Sequence, residues 1–482
     1  MELINVCMKT IFRLFISLIF FSVGCTNGIN KLDKCDEITN CIKVSENYPR
    51  YFEKDNQTWI PISINYLPEN NLQRVEEYFK KFSENGGNSM RIWISTPFLE
   101  IEDSVEGVYN EEKFQRIDKI LELAEKYDIY IKFTLHHIRT ISETSQPGSE
   151  WANSKVLSTK FKDIKEYINT PEGRGSYIRR AKALSERYKD NKHIYGWELW
   201  NEMDAAGNEK EVMDFTTFML DTIKALFPNK LVVQTLGSLH SKLAENTYRE
   251  LTEIPGNDFL SIHRYLDEGE EWGQYDVVKS PIDILASDAV HFGNELTKNR
   301  PVPVIMNEIG AVEPNHIGPF RFYKEDKEGI LIHDMIFAPF FSGSAGSGSM
   351  WHWNHYIFPQ DLWPHFQKFK NAIVGIDPVK EKFIPSFFEK ENVRCYVLNG
   401  KNKTMIWCRD GANSWRTEFE DGVPAVLKEN FTILANDLKT NKFKKVRIYD
   451  PWKDSWNTNI NVRDNEINIP SFLRSIVIIL EL

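Results

Sequence analysis

Short apolar runs and helically spaced apolar stripes alternate along most of the chain. Residues 59–66 read as a first strand, and Leu72, Val75, Phe79 and Phe82 then recur at helical spacing until Gly86-Gly87. Residues 89–94 read as a second strand. Asn110 caps the helix that follows, whose stripe is Phe114, Ile117, Leu121 and Ala124. Residues 129–135 form a third strand candidate, ending in His136-His137. A segment from 138 to about 176 has little periodicity at its start and carries Trp151. Loops of that length are usually functional or mobile. Ile178, Ala181, Leu184 and Tyr188 mark the next helix, and residues 194–199 a fourth strand. The alternation continues through a stripe at Val212, Phe215, Met219, Ile223 and Leu226, strands at 231–235 and 259–263, a helical pattern over 284–296, and a strand at 302–307. An eighth strand is predicted at 350–353, after the Gly-Ser-rich run 342–349. Eight strand–helix alternations predict an α/β fold, a closed (β/α)8 barrel over residues 51–384.

From about residue 385 the pattern changes. Strand-like runs at 394–398, 405–408, 445–449 and 475–480 are separated by Asn, Gly, Asp and Pro turns. They predict a small C-terminal antiparallel β-sandwich over 385–482, packed on the barrel as a structural domain.

Two of the barrel runs end alike, in Asn201-Glu202 and Asn307-Glu308. A parallel strand buried on both faces has no cheap place for a carboxylate except its end. Strands four and seven of one barrel can therefore set two carboxylates facing each other, the pair that hydrolysis of a glycosidic bond requires. Active sites of such barrels lie at the carboxyl ends of the strands. The chemically capable residues predicted there are Arg91, His136, His137, Asn201, Glu202, His263, Tyr265, Glu308, Trp351 and Trp353. Neighbours along a strand alternate faces, so only one of His136 and His137 can point inward, whereas Trp351 and Trp353 fall on the same face and predict a shared platform. Trp151 is a further candidate for sugar contact. Glu198 and Asp204 are read as supporting or surface residues.

Over roughly residues 50–380 the chain resembles a clan A glycoside hydrolase, close to family 5 and its endo-β-mannanase and β-glucanase relatives. The most specific stretch is Trp197-Glu198-Leu199-Trp200-Asn201-Glu202. The resemblance implies Glu202 as general acid/base and Glu308 as nucleophile of a retaining enzyme. It implies that Asn201 bonds the sugar 2-hydroxyl and that Arg91 and Tyr265 hold Glu308 ionised. It implies too that His136 or His137 lines the central subsite with His263, over a floor of Trp351 or Trp353. The segment from Glu313 to Ser349 matches no subfamily pattern and is expected to shape the cleft, either closing one end or walling a groove. β-Mannan and β-glucan substrates are not separated by these residues. A catalytically silent carbohydrate-binding lipoprotein on the same fold is the alternative, disfavoured because a binding protein needs neither Glu.

Composition narrows the partners. A net charge of −10 argues against nucleic acid or an anionic membrane surface. The chain has 13 Trp, and some are expected in a cleft where sugar rings stack. Lys9 and Arg13 with the apolar run 11–23 make a signal peptide, and Gly24-Cys25 resembles a lipobox in which Cys25 carries a lipid anchor. An exported lipoprotein of a bacterial outer membrane or cell surface is expected, with a soluble secreted protein as the alternative. Residues 1–25 are then the signal and 26–50 a tether with a small loop cap. Cys35 with Cys41, and Cys395 with Cys408 across a hairpin, are candidate disulfides. No Cys-x-x-Cys or His-Glu-x-x-His pattern supports a metal, no cofactor is implied, and a monomer is favoured.

Overall fold

The computed structural model describes residues 41–482 except 240–241, 270–275, 439–442, 459, 461 and 464–465. The expected signal, the anchor Cys25 and Cys35 lie outside the described residues. The described residues form one compact unit.

The barrel strands are Ser63–Asn65, Ser89–Trp93, Tyr130–His136, Ile194–Trp200, Leu231–Val233, Leu260–Asp267 and Val304–Val312. The first five pair in parallel in ring order, and the last two pair with each other. Bridges Ser238–His263, Ile309–Met350 and Met350–Ile64 close the ring, with Met350 in the eighth strand position. A helix follows each strand, from Leu72–Glu84 after the first to Pro364–Ala372 after the eighth.

The predicted first strand divides in two. Gln57–Trp59 joins Ile42–Val44 and Phe52–Lys54 in a small antiparallel sheet, and the barrel strand begins only at Ser63. Pro61 stands between them, and its missing N–H cannot serve a ladder. The small sheet floors the amino end of the barrel, with Phe52 edge-on to Phe259 and Trp59 against Tyr130 and Tyr195.

The Gly-Ser run 342–349 walls no part of the cleft. It is buried throughout and leads into the eighth strand position, where Ser63 N–H donates to Ser347 Oγ at 2.9 Å. A Cβ on Gly348 would lie 2.0 Å from the Met335 carbonyl, so only glycine lets this backbone pass the helix Ile330–Phe341. Every residue of that helix is buried, because all but His333 and Asp334 are apolar and it lies between the barrel and the C-terminal sheet.

That sheet has six antiparallel strands, in order Ile384–Lys390, Val393–Asn399, Lys403–Asp410, Ser475–Glu481, Lys445–Asp450 and Ser455–Asn457. One face shares the barrel's core through Tyr396, Leu398, Met405 and Trp407. The other face carries Val393, Cys395, Val397, Ile406 and Cys408, which pack with Phe431, Ile433 and Ile467 around a three-stranded sheet of short strands. Two buried ion pairs fasten the six-stranded sheet to the barrel. Arg394 grips Asp283 through Nε and Nη2 at 2.6 and 3.0 Å, and Arg409 grips Asp334 at 2.8 and 3.1 Å.

The register sets Cys395 opposite Cys408, as expected, yet they are free thiols with sulfurs 3.7 Å apart. A disulfide needs about 2.05 Å. The two thiols fill an apolar layer as small hydrophobes, which corrects the expected cross-link.

Candidate active site

A cleft of about 930 Å³ opens at the carboxyl ends of the barrel strands, lined by residues from all around the ring. Glu202 follows the fourth strand in a left-handed conformation, φ 50° and ψ 55°, which a non-glycine residue adopts only when its surroundings hold it. The Asn201 N–H donates to the His136 carbonyl at 2.8 Å and the Glu202 N–H to Thr235 Oγ1 at 3.3 Å. The kink turns the Glu202 carboxylate into the cleft.

Glu308 faces it from strand seven. The pairing with strand six shifts here: Ile262 opposes Met306 and His263 opposes Glu308, leaving Asn307 as an extra, bulged residue. In a regular strand Asn307 and Glu308 would point to opposite faces. The bulge lets both serve the barrel interior. One oxygen of Glu202, one of Glu308 and a ring nitrogen of His263 all lie within 4.8 Å of one another.

Both oxygens of Glu308 accept hydrogen bonds, Oε1 from Arg91 Nη1 and Oε2 from the Tyr265 hydroxyl at 2.8 Å. Burial, and then the negative charge of Glu308, push the Tyr265 phenol well up, so it remains a donor. Arg91 is aimed by the wholly buried Glu198, which accepts from Nε at 2.8 Å and also from Nη2. Nη2 donates to Asn201 Oδ1 at 2.7 Å as well, which leaves the Asn201 amide N–H groups for a ligand. Burial would raise the Glu198 carboxyl, but the charges of Arg91 and Lys132 pull it well below the usual carboxylate range.

Both oxygens of Glu202 are also engaged. His263 Nδ1 lies 2.9 Å from Oε1, and Arg139 Nη2 donates to Oε2 at 2.6 Å. The His263 tautomer follows from its other side. Lys132 Nζ donates to Asn307 Oδ1 at 2.6 Å, which orients that amide so that Nδ2 donates to His263 Nε2 at 2.9 Å. The proton of His263 is then on Nδ1, directed at Glu202. Burial would raise the Glu202 carboxyl, but the His263 hydrogen bond and the charges around it hold it below the usual range. Burial, and next the charge of Glu202, push Asp204 the other way. Glu202, His263 and Glu308 could together ligate a cation, but each carboxylate already has an arginine partner that meets its charge.

The other expected residues separate. His137 lines the cleft, with Nδ1 at 2.6 Å from Ser95 Oγ and Nε2 on the Trp151 carbonyl. His136 points out of the barrel onto Tyr167, Tyr177 and Trp200, as strand alternation requires, and takes no part in the cleft. His263 is wholly buried beneath the two carboxylates. Trp351 and Trp353 both line the cleft, but not as a flat platform. The backbone leaves strand geometry after Met350, and the rings stand at 84° with centroids 5.3 Å apart. Trp151, half exposed, stacks parallel on His137. Asp204 borders the cleft and accepts from the Gly237 N–H at 2.8 Å.

Trp93, Arg139 and His316 are among the cleft residues that escaped the sequence reading. Trp93 packs between His137 and Trp351. Its position two residues after Arg91 on one strand was a usable signal. Arg139 and His316 sit on aperiodic loops and had none. His316 meets the Tyr265 ring at 4.8 Å, so the segment after strand seven shapes the cleft at this one point.

Residues 52–354, well over half of the chain, match the profile of the cellulase family, glycosyl hydrolase family 5. The chain belongs to glycosyl hydrolase family 5. Among curated relatives, it is 23% identical over 251 residues to the probable mannan endo-1,4-beta-mannosidase F of Aspergillus oryzae, covering 46% of this chain and 50% of that one. It is 26% identical over 152 residues to endoglucanase C of Acetivibrio thermocellus, covering 32% of this chain and 38% of that one. These matches span half or less of the relatives' own lengths. A crystal structure of a family 5 glycoside hydrolase from Bacteroides vulgatus shares the fold, with TM-score 0.59 and 14% identity over 92% of this chain and 93% of that one.

Proposed function

We propose that this family 5 chain is a retaining glycoside hydrolase acting on β-linked polysaccharides or oligosaccharides of the β-mannan or β-glucan type. Glu308 is the nucleophile and Glu202 the acid/base. The observation that carries this reading is the approach of the two carboxylates to within 4.8 Å, each with its own set of donors. Inverting enzymes keep the pair about 6.5–9.5 Å apart to admit a water, and retaining ones about 5–5.5 Å.

In the first step Glu308 attacks the anomeric carbon, the bond to the leaving oxygen breaks, and Glu202 gives that oxygen its proton. In the second, water loses a proton to Glu202 and displaces Glu308 from the anomeric carbon. The free amide N–H of Asn201 is placed to bond the sugar 2-hydroxyl. Trp351, Trp353 and Trp93 supply apolar faces for the ring. Mannan- and glucan-acting relatives both match the chain, so the substrate class is kept at β-linked glycans.

The test is product release from a panel of β-mannans, β-glucans and their oligosaccharides, with Glu308→Gln beside the wild type. The variant is expected to lose on the order of 10³-fold or more, as loss of a covalent nucleophile should cause. A variant as fast as wild type would remove Glu308 from the role. Product lengths separate endo from exo action.

Export with a lipid on Cys25 belongs to the same proposal, supported by the basic and apolar start of the chain. Cys25→Ser is expected to move the protein from the membrane fraction to the soluble one, and an unchanged distribution would refute the anchor.

A further inference from the structure

Glu202 meets an obstacle as a general acid. To protonate a glycosidic oxygen, a carboxyl oxygen must come within about 2.6–3.2 Å of it. Oε1 is tied to the His263 N–H beneath the cleft, at 2.9 Å. Oε2 is the oxygen left for substrate, and Arg139 Nη2 already lies 2.6 Å from it. A glycosidic oxygen approaching Oε2 meets the guanidinium already bound there.

Arg139 is not held there rigidly. Its side chain is about one-third exposed, and its Nε is buried in the structure without a hydrogen-bond partner. Its guanidinium lies 4.9 Å above the Trp151 ring. The backbone beneath is fixed, by the bond from the Arg139 N–H to the Ala152 carbonyl at 2.7 Å and by the short pairing of Thr140–Ile141 with Asn153–Ser154. Arg139 and Trp151 therefore travel on one braced loop, and the side chain is the part free to move. A sugar stacking on that face of Trp151 takes the guanidinium's place on the ring and at Oε2 together.

We propose that Arg139 is a substrate-displaced lock on the acid/base: it holds Oε2 of Glu202 while the leaving-group side of the cleft is empty, and a sugar seated against Trp151 must move it aside before Glu202 can act. This rests on the reading of Glu202 as the acid/base. Once the guanidinium leaves, the carboxylate loses its cationic neighbour and takes up a proton from the buffer. That proton passes to the leaving oxygen as its bond to the anomeric carbon breaks and Glu308 forms the new bond. The proton Glu202 regains from water in the second step is released to the buffer when Arg139 returns. Arg139 is a positioning residue, acting through Glu202. The other groups facing Glu202 are His263 and Tyr265 from strand six, Glu308 from strand seven, Asp204 from the turn beyond strand four, His316 from the loop after strand seven, and Tyr248 from the helix Lys242–Glu253. Among the described residues Arg139 is the cation hydrogen-bonded to Oε2, and it is this charge that a sugar displaces.

The measurement is the pH dependence of kcat/KM, which reports the free enzyme, beside that of kcat, which reports the complex. Wild type, Arg139→Met and Arg139→Lys are compared on mannopentaose or cellopentaose, whichever the panel shows to be cut. In wild type the alkaline limb of kcat/KM is expected at least one pH unit below that of kcat. In Arg139→Met the two limbs should close to within a few tenths of a unit, and Arg139→Lys should restore the gap. The burst of dinitrophenolate from the matching 2,4-dinitrophenyl bioside, whose leaving group needs no proton, should be altered less than the oligosaccharide rate. Coincident limbs in wild type, an unmoved gap in Arg139→Met, or equal losses on both substrates would overturn the lock. Glu202→Gln keeps its failure distinct from that of the underlying reading. Loss of oligosaccharide cleavage by about 10²-fold or more, with the burst reduced far less, upholds Glu202 as the acid. If Glu202→Gln cuts the oligosaccharide normally, the acid/base assignment falls and the lock with it.

Discussion

At the scale of single residues, the site is a set of constraints on two carboxylates. Asn307 shows how far these reach. As the bulged residue of strand seven it never enters the cleft, yet its amide decides which nitrogen of His263 carries the proton. Asn307→Asp would place a second acceptor at His263 Nε2 and draw the imidazole proton there, away from Glu202. The ¹⁵N shifts of His263 are expected to change from the Nδ1-protonated to the Nε2-protonated or doubly protonated pattern, with kcat falling about tenfold or more. Unchanged shifts would show that Lys132 and Asn307 do not set the tautomer. Asn307→Leu takes the acceptor from Lys132 Nζ and the donor from His263 Nε2, and should cost about 1–3 kcal/mol of stability, seen as a lower denaturant midpoint.

At the scale of elements, the C-terminal sheet is bound to the barrel by packing and by charge. Arg394 and Arg409 project from its strands onto Asp283 and Asp334 of two barrel helices, and all four side chains are buried. Burial would raise the Asp283 carboxyl, but the charge of Arg394 draws it below its usual range. Removing one partner of such a pair strands the other in the core, at a cost of about 3–5 kcal/mol. Arg394→Met should therefore lower the denaturation midpoint markedly. The double change Arg394→Met with Asp283→Leu should recover much of the loss. A double variant no better than the single one would show that the sheet is held by packing alone. The helix Ile330–Phe341 joins the same interface and explains why the long connection after strand seven is mostly structural.

At the scale of the whole molecule, the barrel interior is charged where most parallel barrels are apolar. Arg91, Lys132 and Glu198 fill it below the carboxylate pair, and burial pushes Lys132 down to about 8. Glu198 and Asp283 both have folded-state carboxyls below their unfolded values, about 3.9–4.3. Their contribution to stability is therefore complete above that range and is lost progressively as pH falls from it toward the lower folded-state values, because the unfolded chain binds the protons first. The denaturant midpoint is expected to hold near neutrality and fall steeply below about pH 4.5. Glu198→Gln should be less stable at pH 7 and show a flatter decline. An equally steep decline would mean that Glu198 does not carry the acid sensitivity.

The alternation of strand and helix, the two Asn-Glu termini and the inward parity of one histidine were legible in the sequence alone. Each rests on a local rule: the period of an apolar stripe, the cost of a buried carboxylate, or the pleat of a strand. The antiparallel character of the C-terminal quarter was legible for the same reason. The division of the first strand at Pro61 was written in the sequence too, but only the barrel closure at Ser63 gave it meaning. Tertiary structure alone decided the rest. The bulge at Asn307, the burial of the Gly-Ser run against a helix and the perpendicular setting of Trp351 and Trp353 each depend on what packs opposite. The free state of Cys395 and Cys408 depends on sulfur separation, which register does not specify. Arg139 reaches Glu202 from the loop after the neighbouring third strand, and contacts between residues distant in the chain leave no period in the sequence by which to find them.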